Sequence, residues 1–156
     1  MIKAKWSEAD IEKALSKKME LINQAIIRRL SKIREDAVNR ARTVGNYTDR
    51  TARLRNSIGY VLVADGKIVN QYFPNDAKPS IKDGFSSTSG AKIGKAFAEE
   101  IATGFTDGYA LIVVAGMEYA LEVESRNYDV LSSTKNHVEL TFDEQMKQLI
   151  DNIKNA

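Results

Sequence analysis

The sequence predicts an α+β fold, in which a mostly antiparallel β-sheet carries a long N-terminal helix, a short middle helix and a C-terminal helix. Hydrophobic residues first recur at helical spacing, and near Ile58 the pattern changes to runs rich in β-branched and aromatic residues. Helical spacing returns near the end of the chain. The 156 residues suit one domain, with residues 1–44 as a helix and residues 46–156 as an α+β core. We expect the helices to pack on one face of the sheet.

The first predicted helix runs from about Ser7 to about Thr43. Ser7 and Asp10 are typical of an N-terminal cap, and Gly45 is a natural stop. Its apolar stripe steps by three and four residues through Ile11, Leu15, Met19, Ile22, Ile26, Leu30, Ile33, Ala37 and Ala41. At 1.5 Å per residue the helix is roughly 50 Å long, which is more than a small core covers. We therefore expect part of the stripe to contact another chain.

A β-hairpin is predicted next. Ile58–Ala64 is apolar on both faces, as in a central strand, and Lys67–Phe73 returns beside it. Asp65-Gly66 between them is a favoured two-residue turn because both positions need positive φ. Residues 74–90 are predicted to be a loop, since they hold both prolines and a serine-rich run.

The second half of the chain begins with a short predicted helix from Ala91 to about Thr103. Ile93, Phe97 and Ile101 share one of its faces. The third strand, Tyr109–Ala115, is almost wholly apolar, which predicts a place inside the sheet.

Residues 117–126 fit either a half-buried strand or a helix with Glu118, Glu122 and Arg126 on one face. A short helix is the preferred interpretation. The last helix is predicted to begin near Ser132, or near Thr141, where a second capping pattern occurs. Its apolar positions are Val138, Phe142, Met146, Leu149 and Ile153.

Composition narrows the function. The chain has no cysteine, which excludes disulfides, thiolate catalysis and cysteine-ligated metal. No apolar run is long enough to span a bilayer, and the N-terminus becomes charged before a signal-peptide core could form. We therefore expect no membrane contact and a cytoplasm-like compartment.

Candidate catalytic groups are few. His137 is the single histidine, and a solvated or capping role explains it better than a metal site. The acids between residues 118 and 129 are Glu118, Glu122, Glu124 and Asp129. A hydrolase or nuclease could use them, but surface ion pairs explain them better. Residues 90–95 at a helix start give only a weak anion-binding pattern. We predict no catalysis, no cofactor and no metal.

Charge is divided unequally along the chain. Residues 1–60 carry 14 Lys and Arg against 7 Asp and Glu, a net charge of +7, whereas residues 61–156 carry 9 against 14, a net charge of −5. The candidate residues for a partner or DNA surface are Arg28, Arg29, Arg42, Arg50, Arg53 and Arg55. Arginine forks bind phosphates and carboxylates well. The segment has no helix-turn-helix pattern and no interleaved aromatics.

Two segments carry a resemblance to a protein family. Residues 51–58 read Thr-Ala-Arg-Leu-Arg-Asn-Ser-Ile, and residues 119–124 read Tyr-Ala-Leu-Glu-Val-Glu. In order and spacing they resemble the Thr-Gly-x-Leu-Arg-x-Ser-Ile and Tyr-Ala-x-x-Val-Glu motifs of the gp-ten-like head–tail joining and tail-completion proteins of tailed bacteriophages. The matching residues are Leu54, Ser57, Ile58, Tyr119, Ala120, Val123 and Glu124.

The resemblance implies a non-enzymatic virion protein that forms a ring with itself at the head–tail junction or tail end, as a connector, stopper or tail terminator. The implied partners are other phage head and tail proteins and DNA in the ring lumen, and the implied location is the bacterial cytoplasm and then the virion. Ala52 replaces the glycine of the motif, which indicates that no positive φ is needed there. The alternative is a nucleic-acid-binding protein that uses the arginine-rich first helix and the loop after it.

Overall fold

The computed structural model describes residues 5–78 and 89–155, in which helices alternate with a small sheet. The elements in chain order are α1 (Glu8–Val44), α2 (Arg53–Asn56), β1 (Ile58–Ala64), β2 (Lys67–Tyr72), α3 (Gly90–Ala102), β3 (Tyr109–Ala115), α4 (Ala120–Ser125) and α5 (Ser132–Lys154). The strands lie in the order β2-β1-β3 and pair antiparallel, so the α+β prediction is confirmed. Of the predicted loop 74–90, residues 79–88 lie outside the described part.

The predicted cap of α1 is confirmed. The backbone N–H of Asp10 donates to Ser7 Oγ at 3.2 Å, and the backbone N–H of Ser7 donates to Asp10 Oδ2 at 3.0 Å. These hydrogen bonds hold the pKa of the Asp10 carboxyl below its usual value. The helix ends before Gly45, whose φ of −54° is one that any residue can adopt. With 37 residues, α1 is about 55 Å long.

The hairpin forms as predicted. Asp65 and Gly66 have φ values of 47° and 74°, the positive pair that a tight two-residue turn requires. β1 is the central strand, and its first six residues are buried. β2 is exposed along its whole length, and its register with β1 shifts between Leu62 and Val63.

Helices cover both faces of the sheet, so the prediction that they pack on one face is wrong. On one face, Ala98 of α3 belongs to a hydrophobic cluster with Val61 of β1. On the other face, Leu30 and Ile33 of α1 cluster with Leu62. Side chains alternate across a strand, so an apolar run such as β1 needs cover on each side.

β3 lies at an edge of the sheet, where it pairs with β1 alone among the described strands. The prediction that this strand lies inside the sheet is therefore wrong. Both α1 and α3 contact β3. Because α1 and α3 cover β3, its sequence is apolar even though only one of its two edges pairs with another described strand.

α3 presents small residues to the sheet, and they are Gly90, Gly94, Ala98 and Ala102. The face that Ile93, Phe97 and Ile101 share is not the packed one, because Phe97 and Ile101 are exposed and Ile93 is only half-buried. The reason is a close approach of backbones. A Cβ on Gly94 would lie 2.2 Å from the carbonyl oxygen of Ser57, so a larger residue cannot occupy this face.

The C-terminal part follows the preferred interpretations. Residues 120–125 form a short helix rather than a strand, and α5 begins at Ser132 rather than at Thr141. α5 packs along α1, its main contact among the described elements. None of the described helices is long and apolar enough to cross a bilayer.

Candidate functional site

The two segments that carry the family resemblance meet in one hydrophobic cluster. Leu54 and Ile58 from the first segment pack with Ala120 from the second, together with buried Met117 and Val130. Because these segments are separated by some sixty residues in the chain, their contact is a property of the fold rather than of local sequence. The surface around this contact is the first candidate site, which we name the α2–α4 junction (residues 47–58 and 119–124).

The remaining motif residues take different positions in this junction. Val123 packs at the border of the cluster, whereas the ring of Tyr119 is partly exposed. Ser57 is fully buried, and its hydroxyl donates to the carbonyl oxygen of Leu54 at 2.7 Å. Apolar packing and this one hydrogen bond therefore account for most of the first motif.

Ala52 adopts the left-handed conformation, with φ 57° and ψ 3°, immediately before α2. The expectation that no positive φ is needed at this position is wrong. The conformation costs a residue with a Cβ roughly 1 kcal/mol relative to glycine. The buried methyl group of Ala52 offsets part of that cost. The glycine of the family motif would fit the backbone at this point.

Arg42 and Arg55 have structural partners. Arg42 is only 10% exposed, donates through Nη1 to the carbonyl oxygen of Arg55 at 2.5 Å, and pairs with Asp76. The Arg55 guanidinium pairs with Asp49 and lies 5.3 Å from the centre of the Tyr47 ring. These two arginines hold α1, α2 and the loop between them together, so they are poorly placed to bind a partner.

Arg50 and Arg53 differ from them. Both border a pocket of about 360 Å³ that is lined by residues 47–54, Tyr119 and Val123. Arg50 is exposed, and Nε of Arg53 has no hydrogen-bond partner in the described part of the chain. The Tyr47 hydroxyl beside them also has none, and burial raises the pKa of Tyr47 to about 12. The pocket therefore has an exposed cation, Arg50, at its border, and two buried polar atoms, Arg53 Nε and the Tyr47 hydroxyl, that lack a partner within the described residues.

Arg28 and Arg29 lie elsewhere. Both line a groove of about 490 Å³ between α1 and the C-terminal end of α5. Nη1 of Arg29 donates to Oε1 of Gln145 at 3.0 Å, and Arg28 contacts its own helix through the carbonyl oxygen of Gln24. The six predicted arginines thus divide into two with internal partners, two at the pocket of the α2–α4 junction and two at this groove.

Glu124 organises the start of α5. Its carboxylate accepts the backbone N–H groups of Val130, Leu131 and Ser132 at 2.9–3.1 Å. Helix starts leave such N–H groups without partners, and no side chain at the N-cap of α5 supplies one. Sequence reasoning missed this role, because the carboxylate lies eight residues before the helix it caps.

The other acids also have structural roles. Asp129 accepts the backbone N–H of Ser133 at 3.1 Å, and Glu122 pairs with Arg126 on the surface of α4. Within the described residues, no group of three or more His, Asp or Glu side chains could hold a metal ion. Glu122, Glu124 and Asp129 thus each have a structural partner.

Two further candidates are explained by packing. His137 was predicted to be solvated or a cap, but its Nε2 lies 2.8 Å from Oδ2 of Asp36 and connects α5 to α1. Gly90 and Gly94, from the weak anion-binding pattern, lie against the backbone of Arg53 and Ser57. Their role is close helix packing.

Large apolar surfaces remain uncovered. Every residue from 5 to 20 is exposed, including four large apolar side chains of the segment that we name the α1 arm (residues 6–20): Trp6, Ile11, Leu15 and Met19. A second apolar groove of about 520 Å³ lies between β3, α1 and α5. Surfaces of this kind are typical of contacts between chains.

Comparisons with known proteins add no relative. No protein-family model matches the sequence, and neither a curated protein nor a solved structure is significantly similar to it.

Proposed function

We propose that the chain is a non-enzymatic morphogenesis protein of a tailed phage or prophage, a ring-forming component of the head–tail junction or tail end. The observation that carries this proposal is the hydrophobic cluster that Leu54 and Ile58 share with Ala120, since it brings together the two segments that resemble the phage family. A motif pair that builds one surface is more informative than two short motifs at unrelated places.

The exposed surfaces support a role in assembly. Both β2 and the groove beside β3 present apolar side chains to the outside. In a ring with head-to-tail contacts, each subunit joins two different surfaces, and a chain with a basic first part and an acidic remainder suits such contacts.

The test uses Arg50 and Arg53 of the α2–α4 junction, whose side chains form no ion pair with any residue that the structure describes. Arg50→Glu and Arg53→Glu are introduced together into the phage or prophage that encodes the chain, and lysates are examined by electron microscopy. We expect filled heads and free tails in place of joined particles. Arg55 is left unchanged, because its pair with Asp49 stabilises the loop.

The matched control reverses two exposed lysines of α5, Lys147→Glu and Lys154→Glu. We expect it to leave particle assembly unchanged. Joined, infectious particles at normal yield from the folded Arg50→Glu/Arg53→Glu variant would refute the role of this surface. Normal particles after deletion of the gene would refute the proposed function itself.

Nucleic-acid binding is the second candidate, and one observation favours it. Among the residues that the structure describes, the groove between α1 and α5 is lined by the cations Lys18, Arg28, Arg29 and Lys32 and by no acid. Affinity for duplex DNA should then fall steeply with salt, with a slope of about −0.9 for each phosphate that is neutralised. Arg28→Glu with Lys32→Glu should abolish binding. Absence of binding at low salt would exclude this function.

A further inference from the structure

We propose that the α1 arm of one copy docks in the groove between α1 and α5 of a second copy, and reciprocally, so that two chains form an antiparallel pair. This inference is independent of the proposed function, because it rests only on the surfaces of α1 and α5. It names the occupant of a groove that the described residues leave open.

The arm needs a partner. Ile11, Leu15 and Met19 are 53%, 59% and 63% exposed, and they share one side of the helix because they are spaced by four residues. Exposing them costs free energy that burial against apolar surface would recover, at about 25 cal/mol for each Å². The arm also carries three acids in its first turns, Glu8, Asp10 and Glu12.

The groove offers the complementary surface. Its floor is apolar and is formed by Leu21, Ile22, Ala25, Leu149 and Ile153. Its rim is formed by Lys18, Arg28, Arg29 and Lys32, and no acid in the described part of the chain lines it. The arm fits both parts, because its apolar side chains can lie on the floor while Glu8 and Glu12 of its first turns lie at the basic rim. Lys13 and Lys17 fall on the opposite side of the helix, away from that rim.

The charges determine whether the two α1 helices of the pair run parallel or antiparallel. In the antiparallel register that places Leu15 opposite Ile22 of the second copy, Glu8 lies opposite Arg29. The same register places Met19 next to the two-fold axis. Each contact then occurs twice, since an antiparallel pair of identical helices is symmetric. A parallel pair would instead place Glu8 beside Glu8 and the cations beside one another, which is unfavourable.

Single cysteines test the register, because the chain has no cysteine of its own. A Leu15→Cys chain is mixed with an Ile22→Cys chain and oxidised, and the disulfide-linked species are separated by mass. We expect the mixed disulfide to dominate. Lys17→Cys is the control, since this exposed residue is on the opposite side of the helix from Leu15 and should remain unlinked.

Charge reversal tests the complementarity. Sedimentation should show that Glu8→Arg and Arg29→Glu each weaken pairing by about tenfold, because each change affects two symmetric contacts. The double variant should restore pairing, which a loss of folding could not do. Circular dichroism monitors the helices, since Arg29 also contacts Gln145.

Three outcomes would overturn the proposal. They are a chain that stays monomeric at all concentrations, a Leu15→Cys homodimer that replaces the mixed disulfide, and a groove that binds DNA without any self-association. A failure of phage assembly in the Arg50→Glu/Arg53→Glu variant does not bear on this pair, so the two proposals fail separately.

Discussion

The two ends of α1 carry similar apolar stripes and have opposite surroundings. Residues 8–20 are all exposed, whereas Leu30, Ile33, Ala37, Val38 and Ala41 are buried in the described core. One continuous helix thus includes a segment that the chain covers itself and a segment that it leaves open. Periodicity shows that a face suits burial, but it does not show which molecule provides the cover.

The largest expected effect on stability comes from replacing an isoleucine by alanine, and the same replacement is made at each end of α1. Ile33→Ala should lower the free energy of unfolding by about 2–4 kcal/mol, because Ile33 is 4% exposed and the change leaves a cavity. Ile11→Ala removes the same atoms from the same helix and should change the stability of the monomer by less than about 0.5 kcal/mol. Urea unfolding at low protein concentration measures both values.

At high protein concentration, the difference in stability between the Ile33→Ala and Ile11→Ala variants should become smaller. If the arm is covered by a second copy, Ile11→Ala will also lower the apparent stability of the assembled form. Equal losses for both variants in the monomer would contradict the difference between the two ends of α1.

A second comparison concerns glycines in the packed and open parts of the molecule. Gly94→Ala should destabilise by about 1–3 kcal/mol, because its Cβ would lie 2.2 Å from the backbone oxygen of Ser57. Gly104→Ala meets only an ordinary contact of 3.4 Å, to Ile101, and should be neutral or slightly stabilising. Thermal unfolding of the two variants gives the sign of each effect. A stabilised Gly94→Ala variant would show that α3 does not approach α2 closely.

A smaller difference in stability is expected between Glu→Gln substitutions at two carboxylates of α4, one partly buried and the other exposed. Glu124→Gln should cost about 1–2 kcal/mol, because a charged acceptor of three backbone N–H groups is replaced by a neutral amide. Glu122→Gln loses only the exposed pair with Arg126 and should cost less than about 0.5 kcal/mol. Hydrogen exchange at the first turn of α5 should accelerate only in the Glu124 variant.

The last effect concerns Tyr47, which lies between the packed and the open regions, and it is confined to alkaline pH. Burial raises the pKa of Tyr47 from 10.0 to about 12, so the unfolded chain loses this proton first as the pH rises. The contribution to stability is complete below pH 10 and is lost as the pH rises towards 12. Tyr47→Phe should remove this part of the pH dependence, as measured by urea unfolding below and above pH 10. An unchanged slope would contradict burial of the phenol.

Features determined by neighbouring residues could be predicted from the sequence. The Asp65-Gly66 turn forms because glycine and aspartate tolerate the required φ, and the cap of α1 forms because Ser7 and Asp10 are three residues apart. The order of elements follows from such signals. The α2–α4 junction was predicted only as two separate segments.

Features determined by contacts across the fold could not be predicted. The spacing of Phe97 and Ile101 indicates a buried face, but close backbone packing at Gly94 selects the face of small residues instead. From the sequence, Arg55 is a candidate for binding a partner. In the structure, however, it pairs with Asp49 and lies against the Tyr47 ring. Charge and periodicity indicate whether a side chain favours an ionic partner or burial. Only the fold determines whether that partner comes from the same chain.

The close backbone contacts at three glycines restrict the substitutions that these positions can accept during evolution. A Cβ at Gly90 or Gly94 would lie within 2.2 Å of a carbonyl oxygen of the first motif segment, and a Cβ at Gly116 would lie 2.4 Å from Cα of Gly94. Surface arginines can be exchanged by drift without a change of fold, but these positions accept almost nothing larger. Remote relatives should therefore be recognised by a glycine pair four residues apart and a third glycine after the last strand, even where the arginines have been lost.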